Sequence, residues 1–251
     1  MSNQVVIVTG GARGIGYGIC KCFAGQGAIV VVADLNLGAA QQAADSLEDH
    51  GAAEALGLVC DISQRDQVQK MVEDTLAAFG RIDVLVNNAG ICPFVDIMEM
   101  SPEMFQRTID VDLVGAFHCT QLVARHMIER GEGGRIVFIT SLAEHVTGPA
   151  QVDYAAAKSG LRGLMFGFAT ALGKHGITCN AVAPGMILTD MTRHHWAQPG
   201  PAEFIKSRVP VGRIGNPTDL AGHITAQAAA DTGLPVGTPV IMGASDSAVE
   251  D

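Results

Sequence analysis

Aromatic side chains are scarce here, with one tryptophan and two tyrosines in 251 residues. A core of stacked rings is excluded, and a tyrosine inside a motif stands out. Long apolar runs are absent too: VVIV near the start stops at Thr9, far short of the roughly 18 apolar residues a spanning helix needs. The leading MSNQ carries none of the marks of a secretory leader. No Lys/Arg block exists, and 16 basic against 26 acidic residues leave a formal net charge of -10. That balance argues against nucleic acid and against an anionic membrane surface as partners. The cysteines (Cys20, Cys22, Cys60, Cys92, Cys119, Cys179) are scattered through apolar stretches and read as buried thiols of a reducing compartment. The histidines show no ligand spacing, so no metal is expected. Together these absences predict a cytoplasmic protein acting on a small molecule.

What the chain does have is alternation. Short β-branched runs occur at 4–9, 28–33, 82–87, 134–140 and 176–183, with a weaker one at 54–60 and a last one, TPVIM, at 238–242. Helix-length stretches separate them, including long ones at 102–129 and 153–174. Continuous apolar strands with helical connections predict an α/β fold, a doubly wound parallel sheet with helices on both faces, in one domain over 1–251. Ser63, Ser101 before Pro102, and Asn216 before Pro217 are expected helix caps, and Gly27 and Gly80 expected helix stops. His50, His118, His126 and His223 read as helix residues. The segment 189–210, rich in His, Arg, Pro and Gly, breaks the rhythm and is expected to form a flap over a site.

The octapeptide TGGARGIG at 9–16 follows the first strand. Gly10 permits a tight turn, Gly14 lets backbone approach a pyrophosphate, and Gly16 lets helix and sheet pack closely. Arg13 and Ile15 lie within the turn, and the helix start offers free N–H groups to phosphates. No Gly-Lys-Ser/Thr follows, which excludes the triphosphate loop. Asp34 ends the second strand about 20 residues on, where a carboxylate takes ribose hydroxyls and repels a 2′-phosphate. NAD is the expected cofactor of a Rossmann-like domain. Asp34 is also placed to cap the following helix, and Arg13 is the one feature that would help NADP.

Further clusters follow in order: Asp61-Ile62 after the third strand, NNAG at 87–90, YAAAK at 154–158 with Ser141 thirteen residues before Tyr154, and PGMILTD at 184–190. As a set they resemble the short-chain dehydrogenases/reductases over nearly the whole chain. The resemblance implies that Asp61 and Ile62 flank the adenine, that Asn88, Ala89 and Gly90 line the cofactor ribose region, and that Pro184, Gly185, Ile187 and Thr189 meet the nicotinamide end. It also implies a homotetramer, which the small residues along 155–171 favour by permitting close helix packing.

The chemistry follows from the residues themselves. Tyr154 and Lys158 stand i and i+4, on one helical face. A cation beside a phenol favours the phenolate, so Tyr154 exchanges a proton with an alcohol or carbonyl oxygen. Ser141 steadies the same oxygen, and Lys158 also reaches the cofactor ribose. Asp112 stands where the family usually has an asparagine that completes a proton relay. Ionised aspartate has no amide donor, so Asp112 either carries the relay proton or tightens an ion pair with Lys158. The close, VIMGASDSAVED, departs from the family's usual Asp-Gly-Gly turn; Asp246, Glu250 and Asp251 read as solvated terminus.

For the substrate, Cys92, Ser141, Glu144, His145 and Gln151 are expected around the reacting oxygen, with Arg193, His194 and Trp196 on the flap. Such hydrogen-bonding groups suit a polyhydroxylated compound. NNAGICPF with SRVPVGRIGNPTDLAG is similar to bacterial sugar dehydrogenases of the family, those that oxidise L-rhamnose and related aldoses at C1. The alternatives are a dehydrogenase of a sugar-derived keto-deoxy acid whose carboxylate is received by Arg193, His194 or His195 of the flap, a ketone or 3-oxoacyl reductase, and an NAD-binding protein without catalysis.

Overall fold

The computed structural model describes residues 3–196, 209, 213–220, 222–223 and 239–240. Each of the first six expected strands forms: β1 Val5–Thr9, β2 Ile29–Asp34, β3 Glu54–Val59, β4 Val84–Asn87, β5 Gly134–Ile139 and β6 Ile177–Val182. They make one parallel sheet in the order β3-β2-β1-β4-β5-β6. In-register pairing runs from Val5 opposite Ile29 to Thr9 opposite Ala33. Alternate residues of β1 go to opposite faces. Val6 and Val8 pack with α1 (Gly14–Ala24) and α2 (Leu37–Glu48). Val5 and Ile7 pack with α3 (Arg65–Phe79), α5 (Ala116–Arg130) and α6 (Val152–Leu172). Burial on both faces is why these strands read as unbroken apolar runs rather than alternating ones.

Helix ends follow local chemistry, with four revisions. Ser101 caps α4 (Pro102–Ile109) by accepting the Met104 N–H at 3.3 Å, with Pro102 in the first turn. Gly80 closes α3 at φ 73°, a left-handed conformation that suits glycine. Ser63, however, spends its hydroxyl on Asp61 Oδ1 at 2.7 Å, and Gln64 takes the cap position of α3. Asp34 does not cap α2: Asn36 does, accepting the Ala39 N–H at 3.0 Å. His50 lies in the turn after α2 rather than within it. The long helix expected from residue 102 is three pieces, α4, a π-helical turn at Asp110–Gly115, and α5.

The C-terminal expectations fare differently. Asn216-Pro217 opens a short 3₁₀ turn, Pro217–Leu220, and His223 sits in β7 (Gly222–His223) rather than in a helix. β7 pairs antiparallel with β8 (Pro239–Val240), apart from the parallel sheet. Pro239 has no N–H to give to a central ladder, which restricts it to such an edge pairing. The remainder of 224–251, with the acidic tail, lies outside the described residues, as do 197–208 of the expected flap. No described helix is long and apolar enough to cross a membrane.

At the amino ends of the strands, Asp83 is 5 % exposed and fully engaged. It accepts the Val5 N–H at 2.9 Å and sits 2.7 Å from Arg81 Nη2 and 2.9 Å from Arg130 Nη1. Burial alone would raise its carboxyl, but the two guanidinium groups and the Val5 N–H outweigh that and hold it below the usual carboxylate range.

Candidate active site

The carboxyl ends of all six parallel strands open on one cleft of about 640 Å³. β1 leads into Gly10, β2 ends in Asp34, β3 leads to Asp61, β4 to Asn88, β5 to Ser141, and β6 to Pro184. Because β1 lies between β2 and β4, chain connections diverge there, and a crevice opens at that switch point. Gly10 (φ 62°) and Gly14 (φ 57°) take left-handed conformations. A side chain on Gly16 would collide with the Gly10 carbonyl, and at 2.5 Å with Asn88 Nδ2. Asn88 is the brace of this turn, donating from Nδ2 to Thr9 O at 2.9 Å and to Gly10 O at 3.1 Å. Thr9 Oγ1 in turn accepts the N–H groups of Asn88 and Ala89 at 3.0 and 3.1 Å. Asn88 was expected only as lining; its amide also sets the shape of the glycine turn.

The cleft fits a dinucleotide. The first-turn N–H groups of α1 have no helical acceptor and face the pocket at Gly14–Gly16. Asp34 Oδ2 takes the Ala12 N–H at 3.2 Å, which pins the carboxylate at the cleft edge with lone pairs to spare for ribose hydroxyls. Asp61 is held by Ser63, and Ile62, buried, lines the same wall. At the far end Pro184, Gly185, Ile187 and Thr189 line the cleft beside the first turn of α7 (Asp190–Trp196). Arg13 faces Asp190 at 3.9 Å across the mouth, with both side chains exposed.

The candidate reactive groups meet in the middle. Ser141 follows β5, and its Oγ accepts the Ala143 N–H at 3.1 Å and lies near enough to the Tyr154 hydroxyl to pull the phenol's pKa down. Lys158, one turn beyond Tyr154 on α6, places Nζ 5.3 Å from the phenol ring centre. The same Nζ donates to Ile139 O at 3.1 Å and lies 3.3 Å from Asp112 Oδ2. Asp112 Oδ1 accepts the Ile91 N–H at 2.7 Å. Gly90 fits against this pair: a Cβ there would be 2.6 Å from Asp112 Oδ2 and 3.1 Å from Lys158 Nζ. Burial pulls Lys158 down, but Asp112 and Tyr154 more than offset it, and the ammonium is held above its ordinary range. The Asp112 carboxyl is pushed up by burial, against the pull of Lys158 and the Ile91 N–H. The Tyr154 phenol was expected below its ordinary range. Burial instead carries it above, because Lys158 and Ser141 only partly compensate and Asp112 opposes them.

The sequence profile of the short chain dehydrogenase family matches residues 4–200. The chain belongs to the short-chain dehydrogenase family. It is 42 % identical over 225 residues to an L-rhamnose 1-dehydrogenase (NAD(P)(+)) of Azotobacter vinelandii, covering 88 % of each chain. A 3-oxoacyl-[acyl-carrier-protein] reductase of Synechocystis sp. is 39 % identical over 227 residues, covering 89 % of this chain and 88 % of that one. Among solved structures, a short-chain type dehydrogenase/reductase from Mycobacterium marinum superposes with a TM-score of 0.82 at 32 % identity, covering 87 % of this chain and 85 % of that one. This short-chain dehydrogenase is therefore an oxidoreductase built on a single Rossmann-type sheet.

Its substrate end departs from the sequence expectation in three places. Glu144 and His145 do not line the cleft. Ser141 caps a single 3₁₀ turn, Leu142–Glu144, which points Leu142, Ala143 and Val146 inward. It turns Glu144 and His145 to a separate groove beside Arg162 and Phe166. There His145 Nε2 lies 3.3 Å from Glu144 Oε1. Arg193 also misses the cleft: the first turn of α7 presents Asp190, Met191 and Thr192, while Arg193 points to solvent and pairs with Asp190 at 3.4 Å. The side chains of His194, His195 and Trp196 lie outside the described residues. Cys92 and Gln151 are in place, Gln151 Nε2 donating to Cys92 Sγ at 3.6 Å. Phe94, in the 92–96 stretch expected to frame the pocket, and Met191, at the start of the flap, line the cleft, as does Arg107, which was not expected there. Arg107 and Val111 stand four apart and both face it, a helical spacing that would have found Arg107 had Val111 been noticed.

Proposed function

We propose that this short-chain dehydrogenase is NAD-linked and oxidises a hydroxyl of a sugar or sugar-derived polyol, the anomeric hydroxyl of an aldose foremost. The observation that carries this reading is the assembly of Ser141, Tyr154 and Lys158 in the cleft that Asp34 and the glycine turn also line. NAD, when bound, supplies the acceptor for the hydride. Asp34 and the α1 N-terminus would hold the adenosine ribose and the phosphates, and Ile187 and Thr189 would hold the nicotinamide end. Tyr154 takes the proton from the substrate hydroxyl, and Ser141 donates a hydrogen bond to that oxygen. Lys158 stabilises the phenolate and reaches the cofactor ribose. Asp112 lies behind Lys158, out of reach of substrate.

The sugar assignment draws on the similarity to the Azotobacter vinelandii enzyme and on Gln151, Ser141 and Tyr154 as hydroxyl partners. With Arg193 turned elsewhere, the keto-deoxy acid reading would rest on Arg107, the arginine that lines the cleft beside Val111, to receive its carboxylate. A 3-oxoacyl reductase is the second reading, favoured by the apolar Phe94, Val146 and Met191 on the cleft wall and by the Synechocystis relative. Small residues on an open face of α6, where a Cβ at Gly163 or Gly167 would meet nothing within 4 Å among the described residues, support a homotetramer; light scattering measures it.

The test is a turnover panel with NAD and NADP against L-rhamnose, other aldoses, polyols, sugar acids and a 3-oxoacyl thioester. Lactone formation from an aldose with NAD supports the reading. Turnover confined to thioesters replaces the substrate class. A preference for NADP would overturn the role given to Asp34, whose hydrogen bonds to ribose are worth roughly 1.5–3 kcal/mol, or about 10- to 100-fold.

A further inference from the structure

The Asp112–Lys158 pair is more than a substitute for a relay residue. The Asp112 side chain has no exposed surface and that of Lys158 is 3 % exposed. One carboxylate oxygen is taken by the Ile91 N–H and the other faces Lys158 Nζ. Gly90 closes the remaining side so tightly that a single added carbon would collide. With no oxygen open to water, Asp112 is a poor stop on a proton path to solvent. It is well placed to be a fixed counter-charge.

That counter-charge matters because Lys158 is the cation on which the phenol depends. A bare ammonium beside Tyr154 acts as a full positive charge. An ammonium with a carboxylate at 3.3 Å acts as a dipole, whose effect on a third group falls off faster and is partly cancelled. The surrounding groups do not restore the balance. Asp153, at the start of α6, adds a second carboxylate, held by the Thr108 hydroxyl at 2.6 Å. The Cys92 thiol, half-buried in the loop after β4, is pushed up by burial and stays neutral, and Ser141 carries no charge.

Building on the assignment of Tyr154 as the proton-exchanging group, we infer that Asp112 is a positioning residue that acts through Lys158, withholding part of its charge from Tyr154 and setting alcohol oxidation to an alkaline working range. An amide in its place would leave the ammonium unpaired and make the phenol more acidic. Oxidation draws on the phenolate, present above the phenol's pKa. The acid limb of the oxidation profile therefore moves to lower pH when the carboxylate charge is removed.

The scarcity of tyrosine makes a direct test available. Tyr17→Phe leaves Tyr154 as the one tyrosine, so tyrosinate ultraviolet absorption titrates it without cofactor or substrate. The midpoint is expected at or above that of free tyrosine, about pH 10. Adding Asp112→Asn should lower it by roughly one to two pH units, a gain of about 10- to 100-fold in acidity. A parent midpoint near neutrality overturns the inference before any change at position 112. An unchanged or raised midpoint in the variant overturns it as well. Asp112→Ser, with folding checked by circular dichroism, removes the same charge where Asp112→Asn does not fold. The second readout is the acid limb of kcat/KM with NAD and L-rhamnose, expected to move in the same direction. Absence of turnover on every alcohol with the spectroscopic shift intact would sink the proposed reaction and leave the charge pairing standing; turnover without the shift would do the reverse.

Discussion

Each end of the parallel sheet holds a buried carboxylate beside a cation, and the two behave differently. At the amino ends Asp83 is met by two arginines and a backbone N–H, and those arginines also hold the exposed Glu132, on the side of the sheet away from the cleft. At the carboxyl ends Asp112 is met by one backbone N–H and by a lysine that also serves a phenol. The first arrangement fastens β1 to β4 and α5. The second divides one cation between two acids. A buried ion pair remote from the cleft is structural, while one whose cation also faces a phenol that lines the cleft is positioned to act on chemistry.

That contrast breaks most readily at Tyr154. Tyr154→Phe should lower kcat by about 10²- to 10⁴-fold with NAD affinity and melting temperature unchanged, read by steady-state kinetics beside a binding titration. Loss of cofactor binding in that variant would mean the phenol is part of the cofactor seat rather than the acid–base. Asp83→Asn should do the opposite, costing about 3 kcal/mol in urea unfolding while NAD affinity of the folded fraction holds. Its carboxyl sits below the ordinary range in the folded state, so its contribution is full above the unfolded pKa of about 3.9. It is lost as pH falls through the lowered folded value. A flat acid unfolding profile for Asp83→Asn relative to the parent is the expected outcome. Gly90→Ala presses a methyl into the Asp112–Lys158 contact and should cost on the order of 10-fold or more in kcat, since small misplacements near reacting groups are amplified. Wild-type kinetics there would show that the pair yields easily and is not tightly seated. Arg193→Ala, finally, should change kcat/KM less than about twofold, because an exposed pair with Asp190 is worth little. A tenfold rise in KM would return Arg193 to the substrate.

Legibility in the sequence followed the same division. Strand runs such as VVIV and IVVVA are apolar because both faces of the sheet are covered, so the six parallel strands could be read almost to the residue. The glycine turn and Tyr154–Lys158 were legible for a related reason, since backbone approach and helical spacing constrain which residues fit. Glu144 and His145 were misplaced because one 3₁₀ turn after Ser141 decides which side chains face inward, and three residues carry no periodicity to reveal it. The brace formed by Asn88 joins residues 79 apart in sequence, and the Thr108–Asp153 bond joins residues 45 apart. No local pattern announces either.

Between α4 and α5 the helix widens into the π-helical turn Asp110–Gly115. A turn of that kind holds roughly one residue more than an α-turn, so it offsets the helical phase on either side. Thr108 can then address Asp153, Val111 the cleft and Cys119 the interior along what is nearly one continuous rod. Excising a single residue between 110 and 115 would let the rod regularise with α4 and α5 nearly in place, because the wider turn already absorbs the extra residue; the side chains inside the turn would rotate instead. Asp112 would lose its aim at Lys158 while the hydrophobic seam of α5 stayed, so the irregularity is what lets one rod serve both the interior and the lysine.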